Sequence, residues 1–201
     1  MRIQTIAIYE FNELTDEAKE NARDWYRANG LDYEWWDCTI QEYKELGELL
    51  GIEIDNIYFS GFASQGDGAC FTGTYSYRKG WKKALASETG GELYRKLESI
   101  GLGLQAEQEK YFYGITAGIN RTGRYCHENS VTVSADPGEH VNGYWSDTSD
   151  MEDNITDCLR DFMREIYSNL MSEHDYLQSD EAVDDAIIAN EWEFTENVDF
   201  Y

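Results

Sequence analysis

Residues Ile52–Tyr77 read IEIDNIYFSGFASQGDGACFTGTYSY, and the way this stretch folds decides the architecture. Both ends are rich in β-branched and aromatic residues and follow a period of two, the spacing of a strand with one buried face. In the second run Ala69, Phe71, Tyr75 and Tyr77 fall on one face, while Cys70, Thr72, Thr74 and Ser76 fall on the other. Between the runs, Ser64-Gln65-Gly66-Asp67-Gly68 has the composition of a turn whose glycines supply positive φ. The stretch therefore predicts a β-hairpin, with Gln65 and Asp67 as candidate contact residues at its tip.

The same period returns downstream. YFYGITAGIN (Tyr111–Asn120) and YCHENSVTVSA (Tyr125–Ala135) alternate and are joined by Arg121-Thr122-Gly123-Arg124. Tyr111, Tyr113, Ile115, Ala117 and Ile119 make one face; Tyr125, Val131, Val133 and Ala135 make the matching one. Two hairpins imply an antiparallel sheet. Ile3–Tyr9 and the terminal EFTENVDFY (Glu193–Tyr201) are also strand-like.

Elsewhere the spacing is helical. In NELTDEAKENARDWYRANG (Asn12–Gly30), Leu14, Ala18, Ala22, Trp25 and Tyr26 share a face, Thr15 caps the start and Gly30 ends the run. EWWDCTIQEYKELGELLG (Glu34–Gly51) aligns Trp36, Ile40, Tyr43, Leu46 and Leu50. A middle helix is expected from Trp81 to about Ile100, weakened by Gly90 and Gly91. At helical spacing the pairs Trp25-Tyr26 and Trp35-Trp36 read as core, since such rings dominate buried area.

From Asp136 onward the composition changes: nineteen acidic residues, Asp136 included, stand against Arg160 and Arg164. Even so, Met151, Ile155, Cys158, Leu159, Phe162, Ile166 and Leu170 form an apolar stripe at helical spacing, so this segment packs rather than trailing as an acidic tail. A shorter helix follows at about Asp180–Asn190. The expectation is an α+β single domain over residues 1–201: an antiparallel sheet packed by several helices, with residues 1–135 as its core and 136–201 as an acidic helical segment packed on it.

With 41% hydrophobic residues, 14% aromatics and one proline, the chain is too apolar for disorder. Its formal net charge of −24 excludes ordinary nucleic-acid binding, which needs Lys and Arg to displace counterions; only Arg78 and Lys79–Lys83 offer a basic patch. The partner such a field favours is basic. Cys38, Cys70, Cys126 and Cys158 are scattered, as in reduced cytosolic proteins. MRIQTIAIYEF has no apolar run of signal-peptide length, and no stretch approaches a membrane span, so a soluble, cytoplasmic protein is expected.

Three segments, FNELTDEAKENARDWYR…DYEWWD, LGIEIDNIYFSGFASQGDGACFTGTYSYRKG and YFYGITAGINRTGRYCHENSVTV, resemble a family of bacteriophage-encoded proteins of unknown role. Some of its members are loosely labelled antitoxin components. The resemblance covers roughly residues 3–135, with SQGDGACFTG as its most distinctive part, and implies expression inside a bacterium. It carries no activity to transfer, and the acidic last third matches it poorly.

Cys70 as a nucleophile would need thiolate character from a histidine or a helix N-terminus. His127, His140 and His174 stand in no cysteine-hydrolase context, so Cys70 reads as a half-buried strand residue and Asp67 as a turn former. A small hydrolase using Asp67, Cys70 or His127 is kept as an alternative. Cys126-His127 lacks the paired spacing of a zinc site, and DTSDMEDN (Asp147–Asn154) lacks the glycine and distal glutamate of a calcium loop. No metal, cofactor or catalytic residue is assigned.

The acidic face carries the functional expectation. Asp150, Asp153, Asp157, Asp161 and Glu165 recur along the long C-terminal helix, and Asp180, Glu181, Asp184 and Asp185 form a second row. Helical rise spaces the first row by roughly 6 Å, against one phosphate per about 3.4 Å on each strand of duplex DNA. The expected function is a phage inhibitor that enters the basic groove of a host defence nuclease or guided effector by DNA-like charge mimicry. An antitoxin-like protein that neutralises a basic toxin is the alternative.

Overall fold

The computed structural model of the chain describes residues 7–139 and 148–195. In chain order it contains β1 (Ile8–Glu10), α1 (Asp16–Asn29), α2 (Asp37–Leu50), β2 (Ile52–Ser60), β3 (Gly68–Ser76), α3 (Trp81–Glu88), α4 (Gly91–Lys110), β4 (Thr116–Arg121), β5 (Val131–Asp136), α5 (Ser149–Leu177), α6 (Asp180–Ala189) and β6 (Glu193–Thr195). Short 3-10 turns precede α1 and β5, at Phe11–Glu13 and Glu128–Ser130. No helix among the described residues is long and apolar enough to cross a membrane. The chain divides into two compact units, one within residues 37–170 and one within 1–36 and 171–201. The change of composition at Asp136 falls inside the larger unit.

The larger unit holds a four-stranded antiparallel sheet in the order β2-β3-β4-β5, so the fold is α+β and its sheet is built from hairpins, as the period of two predicts. The β2–β3 hairpin runs in register from Ile52↔Tyr75 to Ser60↔Gly68, with a bulge between Ile54 and Asn56. Strand β4 joins the hairpins by pairing Gly73↔Ile119 with β3 and Ile119↔Val133 with β5. Helices α2 and α5 supply the apolar cover. Phe162 of α5 has no solvent exposure and meets Tyr43 of α2 and Phe71 of β3 edge-to-face, with ring centroids 5.8 and 6.0 Å away. Burying a side chain of this class contributes about 1.5–3 kcal/mol, and Ile155, Leu159, Ile166 and Leu170 extend the same stripe. The Tyr43 hydroxyl is not left orphaned: Asn169 Nδ2 donates to it at 3.2 Å.

Three expectations are corrected in this unit. The middle helix breaks into α3 and α4 at Gly90-Gly91, where Gly91 takes φ 62°, and α4 then runs ten residues past Ile100 to Lys110. Tyr111–Gly114 and Tyr125–Ser130 are not strand: β4 starts at Thr116 and β5 at Val131. Ile115, Ala117, Ile119, Val131 and Val133 do form the buried face, but Tyr125 is 61% exposed. Finally, neither Gly66 nor Gly68 has positive φ. Gln65 and Gly66 occupy an ordinary turn closed by Asp67 N donating to Ser64 O at 3.0 Å, and the left-handed residue at the tip is Gly61, at φ 25°.

The end of α4 is unusual. Tyr113 N donates to Gln108 O at 2.7 Å, the long bond of a Schellman cap, whose left-handed position is ordinarily glycine. Here Phe112 and Tyr113 take φ 54° and 62°, and Gly114 follows them. A left-handed conformation costs a residue with a side chain about 1–2 kcal/mol. The surroundings impose it: the buried Gln108 side chain donates to Ile115 O at 2.8 Å and accepts from Ile115 N at 3.1 Å. A Cβ at Gly114 would lie 3.1 Å from Pro137 O, which explains why the glycine stands there instead.

In the smaller unit, β1 and β6 pair antiparallel with Tyr9 opposite Phe194, beside α1 and α6. Thr15 Oγ1 caps α1 by accepting from Ala18 N at 3.3 Å, as its sequence predicts. Phe11, Leu14, Ala22, Tyr26, Val183, Ile187 and Phe194 form the core, with Trp25 edge-on to Trp192 at 5.1 Å. The expected core role thus holds for Tyr26, while Trp25 is half-buried against that core and Trp35 and Trp36 are half-buried against each other. Residues 3–6 of the expected first strand and 196–201 of the last lie outside the described residues, as do His140 and Asp147.

Candidate functional site

Two neighbourhoods bring the sequence-predicted residues together, and both lie in the larger unit. The first surrounds the hairpin tip. Asp67 Oδ2 accepts from Ala63 N at 3.1 Å and from Ser64 N at 2.7 Å, which folds the tip back on itself. A Cβ on Gly61 would sit 2.6 Å from that oxygen, so glycine is needed there for space as well as for its backbone angle. Tyr167 of α5 donates its hydroxyl to Gly61 O at 3.1 Å, and its ring stacks on Phe62 at 5.5 Å. Gln65 is exposed beside this anchored base.

The other flank of the tip is the 3-10 turn before β5. His127 packs over Gly68, where a Cβ would lie 3.0 Å from His127 Cδ2. Asn129 N donates to His127 Nδ1 at 3.2 Å, and Glu128 Oε2 lies 3.0 Å from the same nitrogen. Glu128 also accepts from Arg164 Nε of α5 at 3.2 Å, tying the turn to that helix.

Cys70 is fully buried rather than half-buried, because this turn covers its face of the sheet. Burial, followed by the nearby Cys126, pushes its thiol up to about 11, so it carries little thiolate at neutral pH. The Cys126 sulfur lies 3.5 Å from Arg121 Nη2, and Arg121 also stacks over Tyr58 at 4.5 Å. Among the described residues no three His, Cys, Asp or Glu side chains converge as metal ligands.

The second neighbourhood is the outer face of α5. Asp150, Asp153, Asp157 and Asp161 are exposed, opposite the fully buried Ile155, Leu159, Phe162 and Ile166. Their charge is not uniform. Asp157 lies 3.8 Å from Arg160, Asp161 pairs with Arg164, and Glu165 is drawn inward to Lys96 at 3.0 Å. Asp150 and Asp153 make no ion pair among the described residues. A depression of about 250 Å³ lined by Lys96, Ser99, Ile100, Asp161, Arg164 and Glu165 adjoins the C-terminal half of the row.

The other predicted row lies on α6, in the smaller unit. Glu181 and Asp185 are exposed there, but Asp184 forms a two-pronged pair with Arg23, Nε–Oδ1 2.6 Å and Nη2–Oδ2 2.7 Å. Asp180 pairs with Arg27. These two carboxylates hold α6 to α1. Arg160 and Arg164 lie beside the α5 row and partly neutralise it, as the sequence places them, but sequence reasoning missed Arg23, Tyr167 and the bond from Arg164 to Glu128, whose partners stand more than thirty residues away in the chain.

An α+β unit with an acidic helical face and a clamped glycine-rich hairpin defines the chain as far as geometry reaches. Residues 35–180 match the family model described as Domain of unknown function (DUF8835), and the chain belongs to that family. The match takes in the hairpin tip, His127, Arg164 and the whole α5 row, and stops at the start of α6. No curated protein matches the chain, and neither does any solved structure.

Proposed function

We propose that the protein is a bacteriophage accessory inhibitor that occupies the cationic groove of a host nucleic-acid-handling protein, a defence nuclease or guided effector. It acts through binding, by presenting carboxylates where the target expects phosphates. The observation that carries this reading is the exposed row Asp150, Asp153, Asp157 and Asp161, held in helical register by a stripe with no solvent exposure, in a chain of net charge −24. That charge far exceeds the magnitude of about 2–8 that suffices for solubility. The field it creates speeds encounter with a basic groove, and the hairpin tip adds shape to charge. The resemblance of residues 3–135 to phage-encoded proteins supports the biological setting.

The test combines capture with competition. The wild-type chain is immobilised, host lysate is passed over it, and the retained protein is identified and purified. Asp153→Asn, Asp157→Asn and Asp161→Asn are then combined in one variant, which removes charge while nearly keeping shape. Affinity for the retained protein should fall more than about tenfold and its salt dependence should weaken, and wild type should displace DNA from the retained protein. Equal affinity and equal salt sensitivity in the variant would refute charge mimicry. Retention of a small basic toxin would instead assign the chain an antitoxin role.

A further inference from the structure

A cavity of about 360 Å³ opens in the smaller unit, where the C-terminal end of α6 meets β1, β6 and the 3-10 turn before α1. Phe11 and Ile187, both buried, form its base, and Ile188, 44% exposed, forms an apolar wall. Glu10, Glu191 and Glu193 are exposed and form its rim, and no Lys or Arg lines it. The cap of α6 sets this shape. Trp192 N donates to Ile187 O at 3.3 Å and Glu191 N to Ile188 O at 3.0 Å, with Glu191 at φ 53°, so the chain reverses directly into β6. The ladder then places Glu193 opposite Glu10.

Like charges directly opposite on a ladder are destabilising, and the C-terminal end of a helix adds partial negative charge beside them. None of the three carboxylates has an ion-pair partner among the described residues. Lys19 and Arg23 stand over the Phe11 ring, each 5.9 Å from its centre, but line no part of the cavity, and Asp184 holds Arg23. Nor do the glutamates converge as metal ligands. A metal ion would therefore lack its coordination, a bare cation would leave the apolar base unfilled, and a neutral apolar molecule would leave the carboxylates uncompensated. We propose that the cavity binds a small organic cation, a primary ammonium on an apolar body, with the ammonium among Glu10, Glu191 and Glu193 and the body against Phe11, Ile187 and Ile188. Its volume lies in the range of about 300–1,000 Å³ usual for small-molecule sites. All of its lining lies outside residues 35–180, so the site is independent of the acidic row of α5 and of the cationic-groove reading.

The experiment titrates the full chain by isothermal calorimetry at physiological salt. The probes are phenethylammonium, phenethyl alcohol (the same body without the charge), methylammonium (the charge without the body) and a short peptide whose one charged side chain is a lysine. Wild type should bind phenethylammonium at least about fivefold more tightly than the alcohol or methylammonium. Glu191→Gly removes one charge and relieves left-handed backbone, so the thermal midpoint should hold or rise while phenethylammonium weakens and the alcohol does not. Adding Glu193→Gln should bring the ammonium down to the level of the alcohol, and Ile188→Ala should weaken both. Equal binding of ammonium and alcohol by wild type, or a preference that survives the Glu191/Glu193 double variant, would overturn the site. So would methylammonium binding as tightly as phenethylammonium, which would leave only the general field of the chain, or binding of none of the probes. Binding of the peptide but of no free amine would overturn the small-molecule reading and make the cavity a socket for a partner's side chain.

Discussion

The same substitution at two glycines of the hairpin tip should have opposite signs. Gly66 has an ordinary backbone angle and no heavy atom within 4 Å of an added Cβ. Gly66→Ala therefore acts on the unfolded chain alone and should stabilise by about 0.4–1 kcal/mol. At Gly68 the new methyl would lie 3.0 Å from His127 Cδ2 and 3.1 Å from His127 Cα. Ring rotation clears the first contact but not the second, so the 3-10 turn itself must retreat. Overpacking of this kind costs about 1–3 kcal/mol. The movement also strains the bond from Asn129 N to His127 Nδ1, now 3.2 Å long, which is worth about 0.5–1.5 kcal/mol. A net loss of about 2–3 kcal/mol follows, or a midpoint lower by about 4–12 °C for a domain of this size. Differential scanning calorimetry of both variants, with urea titration as a second measure, reads the difference. Repeating Gly68→Ala in a His127→Ala background should recover only part of the loss, since the backbone contact stays. Equal midpoints for the two single variants would refute the assignment of His127 to the space above Gly68.

Removing Asp184 should weaken the smaller unit while removing Asp153 should not. A double-mutant cycle on Arg23 and Asp184 should give a coupling of about 1 kcal/mol, above the exposed-pair median because the pair is two-pronged and partly buried; no coupling would make it a surface ornament. Phe162→Ala empties the meeting point of Tyr43 and Phe71 and should cost about 3–5 kcal/mol, with a cost below that of Phe112→Ala refuting the core assignment. Alkali should destabilise the fold: Cys70 and Cys158 are pushed up to about 11 by burial, so from the ordinary thiol range upward the unfolded chain releases protons that the folded chain keeps. Stability at constant ionic strength should be full below pH 9 and fall as pH rises towards 11, and a flat profile that Cys→Ser replacement leaves unchanged would contradict this.

The fold class was legible because the hydrophobic period changes cleanly, from helical before Leu50 to alternating after Ile52, and because Thr15 sits where a cap is needed. The errors share a physical cause. Tyr111 and Tyr113 alternate like strand residues, yet the turn they occupy is dictated by Gln108 and by the close approach of Pro137, which periodicity does not register. The glycines of SQGDG suggested positive φ, but the tight spot was Gly61, created by the Asp67 carboxylate folding back. The tip and the acidic row could be read as separate features. That Arg164 and Tyr167 of the acidic helix also clamp the tip and its flanking turn depends on pairings between distant parts of the chain.

Strand β2 ends the sheet on one side, and its bulge centres on Asp55, whose carbonyl accepts from Lys44 Nζ at 2.8 Å. An open edge is a template for another chain, and a kink, a capped carbonyl and the carboxylates of Glu53 and Asp55 all discourage that pairing. Part of this guard is charge and part is geometry: the carboxylates repel a like edge, while the bulge and the capped carbonyl interrupt the ladder. At the sequence pI of about 4.2 the net charge that keeps molecules apart is lost, whereas the bulge and the capped carbonyl are part of the fold. The molecule's colloidal stability therefore depends on pH through its net charge, while its sheet edge keeps a geometric barrier to strand addition that does not rely on charge.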